Sequence, residues 1–339
     1  MNQERDEHSL DIDFDQRQSR RSILRNASVG AATLLLPGLL AGSAESEGRL
    51  VGAAKQGGSL TPSQAKAIED IIQAEGSFSN GVFSIELDRE DISSVKLHGV
   101  PILPSFEING TLSFERIGYD RVFLNGDMCL KSTEINSFID VLIAQDIKFQ
   151  AEHQHFYDFY PMVWFIHFRA EGEVEQVAHK VKAALDTTST PFPQKMPKNP
   201  TTLLPADQLA HVLGGDAEIG SDGVVTVDVP RADRIRLGGR MINPFLGVQT
   251  TIAFEPYGGG QNAVVIPDFG MVYEEIQRVV EVMRDRKWDV GCLYNQETDE
   301  HPQLYFSHMA KVGDAVTLAH EVRKGLSEMN MSLHGQTDH

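Results

Sequence analysis

The chain repeats itself, and this feature limits most strongly what it can fold into. When the sequence is compared with itself at a shift of 141 positions, so that residue 127 falls on residue 268, identical residues align without a gap. Nearer the start of each copy the shift is 140 and then 142, so two small differences in length between the copies explain why the shift changes. The aligned identities include Arg89 with Arg231, Asp91 with Asp233, Pro104 with Pro244, Glu115 with Glu255, Asp127 with Asp268, Glu134 with Glu275, Pro161 with Pro302, His167 with His308, Gly172 with Gly313 and His179 with His320. The sequence therefore predicts one domain present twice.

The predicted boundaries follow from this alignment and from composition. The first copy spans 59–187 and the second 202–329, while the proline-rich segment 188–201 has no hydrophobic period and is predicted to be an extended linker. Residues 330–339 form a polar tail. A length of 339 residues suits two domains.

Hydrophobic spacing within one copy predicts both helices and strands. Ile135, Phe138, Ile139 and Leu142 lie on one helical face, and the segment 172–185 shows the same period. Short alternating segments separated by Gly, Asn and Pro turns predict strands between an opening helix and these two. We expect an α+β fold: two tandem copies of a mostly antiparallel sheet with helices packed on one face.

Three histidines stand out in the first copy. Alternation from residue 147 predicts a strand that carries His153 and His155 on its inward, apolar face, with Phe149 on the same side. The next predicted strand, 162–168, carries His167 in phase with apolar neighbours, and the loop between the two is short enough for a hairpin. The sequence therefore predicts that His153, His155 and His167 converge.

Convergent neutral imidazoles are ligands for a divalent transition metal such as zinc, and three of them leave one position open. A metal-free polar pocket and histidines satisfied by structural hydrogen bonds are the alternatives.

Other residues could support such a site. Asp127 and Asp268 are predicted to follow a strand directly, where each could bind the metal, orient an imidazole or simply form a turn. Glu134 could belong to the site or cap its helix. Arg89 could grip an anion or pair with Asp91. The two cysteines, Cys129 and Cys292, occupy non-equivalent positions and are expected to be buried and inert, with a disulfide as the alternative.

The second copy keeps only part of the histidine pattern. Tyr294 and Gln296 replace His153 and His155, whereas His308 and Asp268 are retained. The second copy is expected to be a scaffold, a partner that completes the first pocket, or a site for something else.

The charge and the N-terminus narrow the functional classes. A net charge of −18 argues against nucleic acid or an anionic membrane as a partner and favours cations or neutral small molecules. Residues 1–45 place Arg20-Arg21 before an apolar run rich in Gly and Ala, which is typical of a twin-arginine export signal. No cysteine follows that run, so a mature protein in the cell envelope or outside the cell, without stable membrane anchoring, is expected.

With these motifs, the chain over about residues 60–329 resembles the LppY/LpqO family of exported actinobacterial lipoproteins, which are built from a duplicated domain of unknown function. The resemblance rests on Arg89-x-Asp91, the Gly-x-x-Ile-x-Pro segment 99–104, Gly126-Asp127, His153-x-His155, Pro161, His167 and Gly172. The missing lipid-anchoring cysteine departs from that pattern. The order of histidines, proline, histidine and glycine also resembles pterin carbinolamine dehydratase, at different spacings.

Three functions remain open from sequence. The first is an exported two-repeat protein that binds a metal or small polar ligand. The second is a metal-assisted hydrolase or dehydratase-like enzyme that uses the same histidines. The third is a cell-envelope interaction domain without pocket chemistry.

Overall fold

The computed structural model describes residues 58–333, which contain both copies. The predicted export signal, residues 1–45, and residues 334–339 lie outside the described residues, so the predictions made for them stay predictions. None of the helices within 58–333 is long and apolar enough to cross a membrane.

Each copy follows the predicted alternation of helices and strands. The first contains α1 Pro62–Ile72, β1 Ser77–Ser79, β2 Val82–Asp88, β3 Lys96–Leu97, β4 Val100–Pro101, α2 Pro104–Glu107, β5 Asn109–Arg116, β6 Arg121–Leu130, α3 Ile135–Ala144, β7 Lys148–His153, β8 Trp164–Glu173 and α4 Val174–Leu185. The second contains α5 Ala206–Leu213, β9 Asp216–Ile219, a short 3₁₀ turn Ser221–Gly223, β10 Val225–Val229, β11 Arg236–Leu237, β12 Arg240–Met241, β13 Thr250–Pro256, β14 Asn262–Met271, α6 Tyr273–Asp285, β15 Asp289–Val290, β16 Glu300–His301, β17 Tyr305–Asp314 and α7 Ala315–Leu326.

The two main sheets have the same topology. Their strand orders are β1-β2-β5-β6-β8-β7 and β9-β10-β13-β14-β17-β15, and neighbouring strands pair antiparallel. One apolar cluster joins the first sheet to α1, α3 and α4, and a separate cluster joins the second sheet to α5, α6 and α7. The predicted α+β fold, two similar sheets each covered by helices on one face, is confirmed.

Local sequence explains where the helices begin. Thr61 caps α1 by accepting a hydrogen bond from the backbone of Gln64, whose side chain accepts one from Thr61 in return, and Pro62 occupies the first turn. Asp314 caps α7 by accepting hydrogen bonds from the backbone N and the hydroxyl of Thr317. These caps fix the start of each helix, so its apolar face meets the sheet.

The copies contact each other on the face of each sheet that is opposite its helices. The excursion 89–108, between β2 and β5, packs Ile102 and Phe106 against residues of the second sheet such as Ala253. The corresponding excursion of the second copy packs Leu237 and Leu246 against the first. Each copy therefore covers the sheet of the other.

Backbone contacts of the two excursions are equivalent. Leu103 N donates to Glu255 Oε2 at 3.0 Å, and Asn243 N donates to Glu115 Oε2, also at 3.0 Å. Because 103 aligns with 243 and 115 with 255, the two bonds are related by an approximate two-fold axis. The candidate site lies near this axis.

Arg89 and Arg231 are the centres of two equivalent buried ion clusters. Arg89 donates to Asp91, to both carboxylate oxygens of Glu134 and to the carbonyl of Cys129. Arg231 binds Asp233 and Glu275 in the same manner. The prediction of an Arg89 to Asp91 ion pair is confirmed, and Glu134 is its buried second partner.

The segment between the copies lies against the first copy near the end of β2. Gln194 accepts a hydrogen bond from Asp88 N at 2.9 Å and donates one to Asp88 O at 3.0 Å. Beyond α7, Asn330 N donates to Glu275 at 2.8 Å and Met331 is buried, so the chain still packs on the second copy there.

Two sequence predictions about strands were wrong. Strand β6 continues to Leu130, so Asp127 lies within it, as Asp268 lies within β14, and neither forms a turn. A β-bulge between Phe149 and Ala151 shifts the alternation of β7, which leaves Phe149 exposed and buries Gln150. Strand β7 then ends at His153, and His155 lies in the bend that follows.

Candidate metal centre

The histidines that come closest together belong to both copies. Side-chain nitrogens of His153, His155 and His308 lie within 4.8 Å of one another. His153 ends β7 and His155 follows it, whereas His308 comes from β17 of the second copy. The sequence predicted that His153, His155 and His167 converge, with the second copy as a possible partner that completes the pocket; in the structure His308 of the second copy, and not His167, is the third member of the close cluster.

His155 is held on three sides. Its Nδ1 lies 2.7 Å from Glu107 Oε2 at the end of α2. Its ring is stacked between Phe165, at a centroid distance of 3.4 Å, and His308, at 3.6 Å. Its Nε2 is buried and has no hydrogen-bond partner among residues 58–333. This arrangement directs one ring nitrogen to a carboxylate and leaves the other available.

His308 is fixed by its register on β17. It lies opposite Asp268 of β14, with His308 Nδ1 3.6 Å from Asp268 Oδ1. The same nitrogen is 3.4 Å from the sulfur of Cys292. Metal-binding histidines commonly direct their second nitrogen to a carboxylate. His155 shows that pattern with Glu107, whereas His308 Nδ1 lies near Asp268 without a hydrogen bond to it.

His153 lies at the approximate two-fold axis. It stacks on Tyr294, its own counterpart in the second copy, with ring centroids 3.6 Å apart and planes 18° apart. Both ring nitrogens of His153 are buried without a partner in the described part of the chain. The cluster therefore contains at least three unsatisfied buried nitrogens, counting Nε2 of His155.

His167 and Asp127 form a second pair that mirrors His308 and Asp268. They face each other across β8 and β6, with His167 Nε2 3.7 Å from Asp127 Oδ1. The ring of His167 stacks 5.1 Å from that of His153, but His167 is not one of the three close histidines. Its ring contacts are with His153 and with Tyr294, whose ring centroid is 5.9 Å away.

The two halves of the site differ in chemistry. Gln296 takes the place of His155, and its side chain donates to the carbonyl of Gly247, which takes the place of Glu107. Gly247 has a φ of +74°, and a Cβ there would lie 2.8 Å from Asn125 Nδ2. The first half therefore offers an imidazole with a carboxylate, and the second offers an amide bonded to the backbone.

Burial sets the charges of the cluster. It lowers the pKa of His308 and His167 to about 3, and lowers the pKa values of His153 and His155 well below their usual value, with neighbouring histidines adding to the effect. All four imidazoles are then neutral at pH 7, the form that binds metals.

The acids around the histidines shift in the opposite direction. Burial raises the pKa of Asp268 to about 8, and burial together with nearby acids raises the pKa values of Glu107 and Asp127 well above their usual range. Charged forms of these groups are costly in this interior unless a cation is close.

The residues that the sequence predicted to support the site fall into two groups. Asp127 and Asp268 each face a histidine, whereas Arg89 and Glu134 bind one another in a buried ion cluster. Glu107 was missed because its role depends on the interlocked excursion, and the only signal was its position after the Gly-x-x-Ile-x-Pro segment. Both cysteines are free, with Cys129 buried.

The fold and the site define a class: a duplicated α+β protein with one histidine cluster built at the junction of its copies. A family model described as Domain of Unknown Function (DUF1259) matches residues 66–187 and 207–328, and the chain belongs to this family. The comparison with curated proteins gave no match.

Among solved structures, the chain is similar to EtuB from Clostridium kluyveri, at 8% identity and a TM-score of 0.20, over 77% of this chain and 95% of that one. It is also similar to the trimeric bacterial microcompartment shell protein PduB, at 8% identity and a TM-score of 0.19, over 75% and 93%. At these TM-scores the likeness supports no inference.

Proposed function

We propose that this protein binds one divalent transition metal ion, zinc in the first instance, at His153, His155 and His308, and that both copies build the site. The observation that carries the proposal is the approach of the three side chains, whose nitrogens lie within 4.8 Å of one another. Three imidazoles from two copies form a donor set that suits zinc.

The surroundings of the cluster support a metal over the other readings. Histidines that serve only the fold would have bonded nitrogens, whereas Nδ1 and Nε2 of His153 and Nε2 of His155 lack partners in the described chain. Glu107 and Asp268 lie beside the remaining nitrogens of His155 and His308. These carboxylates would orient the imidazoles and offset the charge of the ion.

The motifs shared with the LppY/LpqO family belong to this proposal. Gly126-Asp127 and His153-x-His155 both lie at the junction of the copies, and His167 faces Asp127 there. An LppY/LpqO-type protein with a metal site shared by its repeats accounts for the position of these motifs.

A metal-assisted enzyme is the second candidate, and one observation favours it. A cavity of about 160 Å³ lies beside the cluster and is lined by His167, Asp127 and Asp268. Three protein ligands are the number at which catalytic zinc sites keep a place for water, which zinc activates as a nucleophile. Hydrolysis of small esters by the zinc-loaded form, and not by the zinc-free form, would establish this activity; equal rates would exclude it for those substrates.

Zinc titration of chelator-treated protein tests the binding proposal. We expect one zinc per chain and a higher unfolding temperature, because a ligand that binds only the folded state stabilises it. The matched control replaces His153 and His155 together by Ala, which is expected to abolish both effects. Zinc binding of equal strength by this double variant would overturn the proposal.

A further inference from the structure

The cavity beside the histidine cluster lies between the two sheets and receives residues from both copies. Its volume is about 160 Å³. The lining residues are Thr111, Ser113, Asn125, Gly126, Asp127, His167, Gly247, Gln249, Thr251, Asp268 and Gln296. None of the three proposed zinc ligands is among them, so the cavity is a separate site next to the metal.

Unpartnered polar atoms converge on this cavity. Asp127 Oδ1, Asp268 Oδ1, Gln249 Oε1 and His167 Nε2 are buried and have no hydrogen-bond partner within residues 58–333. His167 is only 4% exposed. The three oxygens accept hydrogen bonds when the carboxyls are ionised, so they match a ligand that is rich in donors.

The charged side chains of the lining indicate which charge the ligand carries. The lining contains two carboxyl groups, and none of its described residues is a lysine or arginine. A cation bound here would offset the charge of both carboxylates, whereas an anion would find no positive side chain in the lining to offset its own charge.

We propose that this cavity binds a small organic cation whose ammonium or amidinium group donates to Asp127, Asp268 and Gln249. A group of this kind has several N–H donors and no acceptor, which matches the acceptor-only character of the unpartnered oxygens. Hydrogen bonds that involve charged partners are also the stronger ones.

The size of the cavity limits the ligand. A cavity of about 150 Å³ in another protein holds one benzene molecule, so this one takes a ligand of about six non-hydrogen atoms. A free amino acid has a carboxylate as well as an ammonium group, and the acidic lining disfavours it. Simple amines and amidines remain.

Three isosteric probes test the proposal: acetamidinium, acetamide and acetate, which share one shape and carry charges of +1, 0 and −1. Each is titrated by calorimetry into the zinc-free and the zinc-loaded full chain. We expect acetamidinium to bind at least about tenfold more tightly than acetamide, and acetate not to bind, because each charged hydrogen bond is stronger than a neutral one. Binding to the zinc-free chain makes this result independent of the metal proposal.

Matched variants locate the bound cation. Asp127→Asn and Asp268→Asn are each expected to weaken acetamidinium binding about tenfold or more, whereas Asp140→Asn, at an exposed carboxylate on α3, is expected to leave it unchanged. The Asn variants should remain folded, because Asn keeps the side-chain shape and carries no charge to bury; their unfolding temperatures check this. Equal binding of acetamide and acetamidinium, binding of acetate, or no binding of any probe would overturn the proposal, the last outcome indicating a cavity filled by water only.

Discussion

Replacing His308 by Ala is expected to lower zinc affinity by more than about 100-fold, although this residue lies in the copy that has lost the His-x-His pair. Loss of an outer partner of a metal ligand costs about 10–100-fold, and loss of a ligand should cost more. The structural reason is that His308 approaches His153 and His155 within 4.8 Å. Competition against a chelator of known affinity measures the change.

His167→Ala is the matched control for this prediction. His167 aligns with His308 in the repeat and is equally buried, at 4% against 5% exposed, but it is not one of the three close histidines. We expect it to change zinc affinity less than tenfold, roughly the lower limit for an outer partner. The reverse ranking, with His167→Ala the more damaging, would indicate a site confined to the first copy.

Arg89→Met is expected to lower the free energy of unfolding by about 3–5 kcal/mol, the usual cost of removing one member of a buried ion pair. Arg89 is fully buried and is the bonded partner of Glu134, which would be left as an unpaired buried carboxylate. Urea denaturation measures the loss, and Arg231→Met is expected to give a similar value because Arg231 binds Glu275 in the same way.

The double variant Arg89→Met with Glu134→Leu separates pairing from packing. It is expected to recover a large part of the loss, since Glu134 is no longer left as an unpaired carboxylate and Asp91 keeps its ion pair with Lys131. The folded Arg89 variant should still bind one zinc, because Arg89 bonds to Glu134, Asp91 and Cys129 and not to the histidines. A loss below about 1 kcal/mol, typical of a surface pair, would contradict this account of the cluster.

Much of the fold follows from the sequence because it depends on local pattern. Apolar residues at helical spacing define the faces of α3 and α4, and the alignment of the copies predicts that both share one topology. The bulge in β7 could not be predicted, because alternation counts residues and a bulge adds one to a strand without a change of composition.

The site could be predicted only in part. The period placed His153 and His155 near one another, and the alignment showed that His308 corresponds to His167. Neither observation indicates how the two copies pack. Excursion 89–108 packs on the second copy and excursion 230–249 packs on the first, and this packing places His308 beside His155. Contacts between the copies depend on the shapes of their surfaces, and no periodic pattern in the sequence indicates those shapes.

Duplication followed by divergence explains why the proposed site is asymmetric. An approximate two-fold axis would give two equivalent half-sites, but Gln296 and Gly247 replace His155 and Glu107 in one of them. The half that keeps the imidazole and the carboxylate suits a metal. The other half, with Asp127 and His167, lines the cavity together with Asp268.

The most direct test of the shared site is an anomalous difference map from crystals of the zinc-loaded protein, recorded on both sides of the zinc absorption edge. The account predicts one strong peak bonded to nitrogens of His153, His155 and His308, at the junction of the two copies. A peak bonded to His153, His155 and His167 without His308, or no peak at the cluster in crystals that contain zinc, would contradict it.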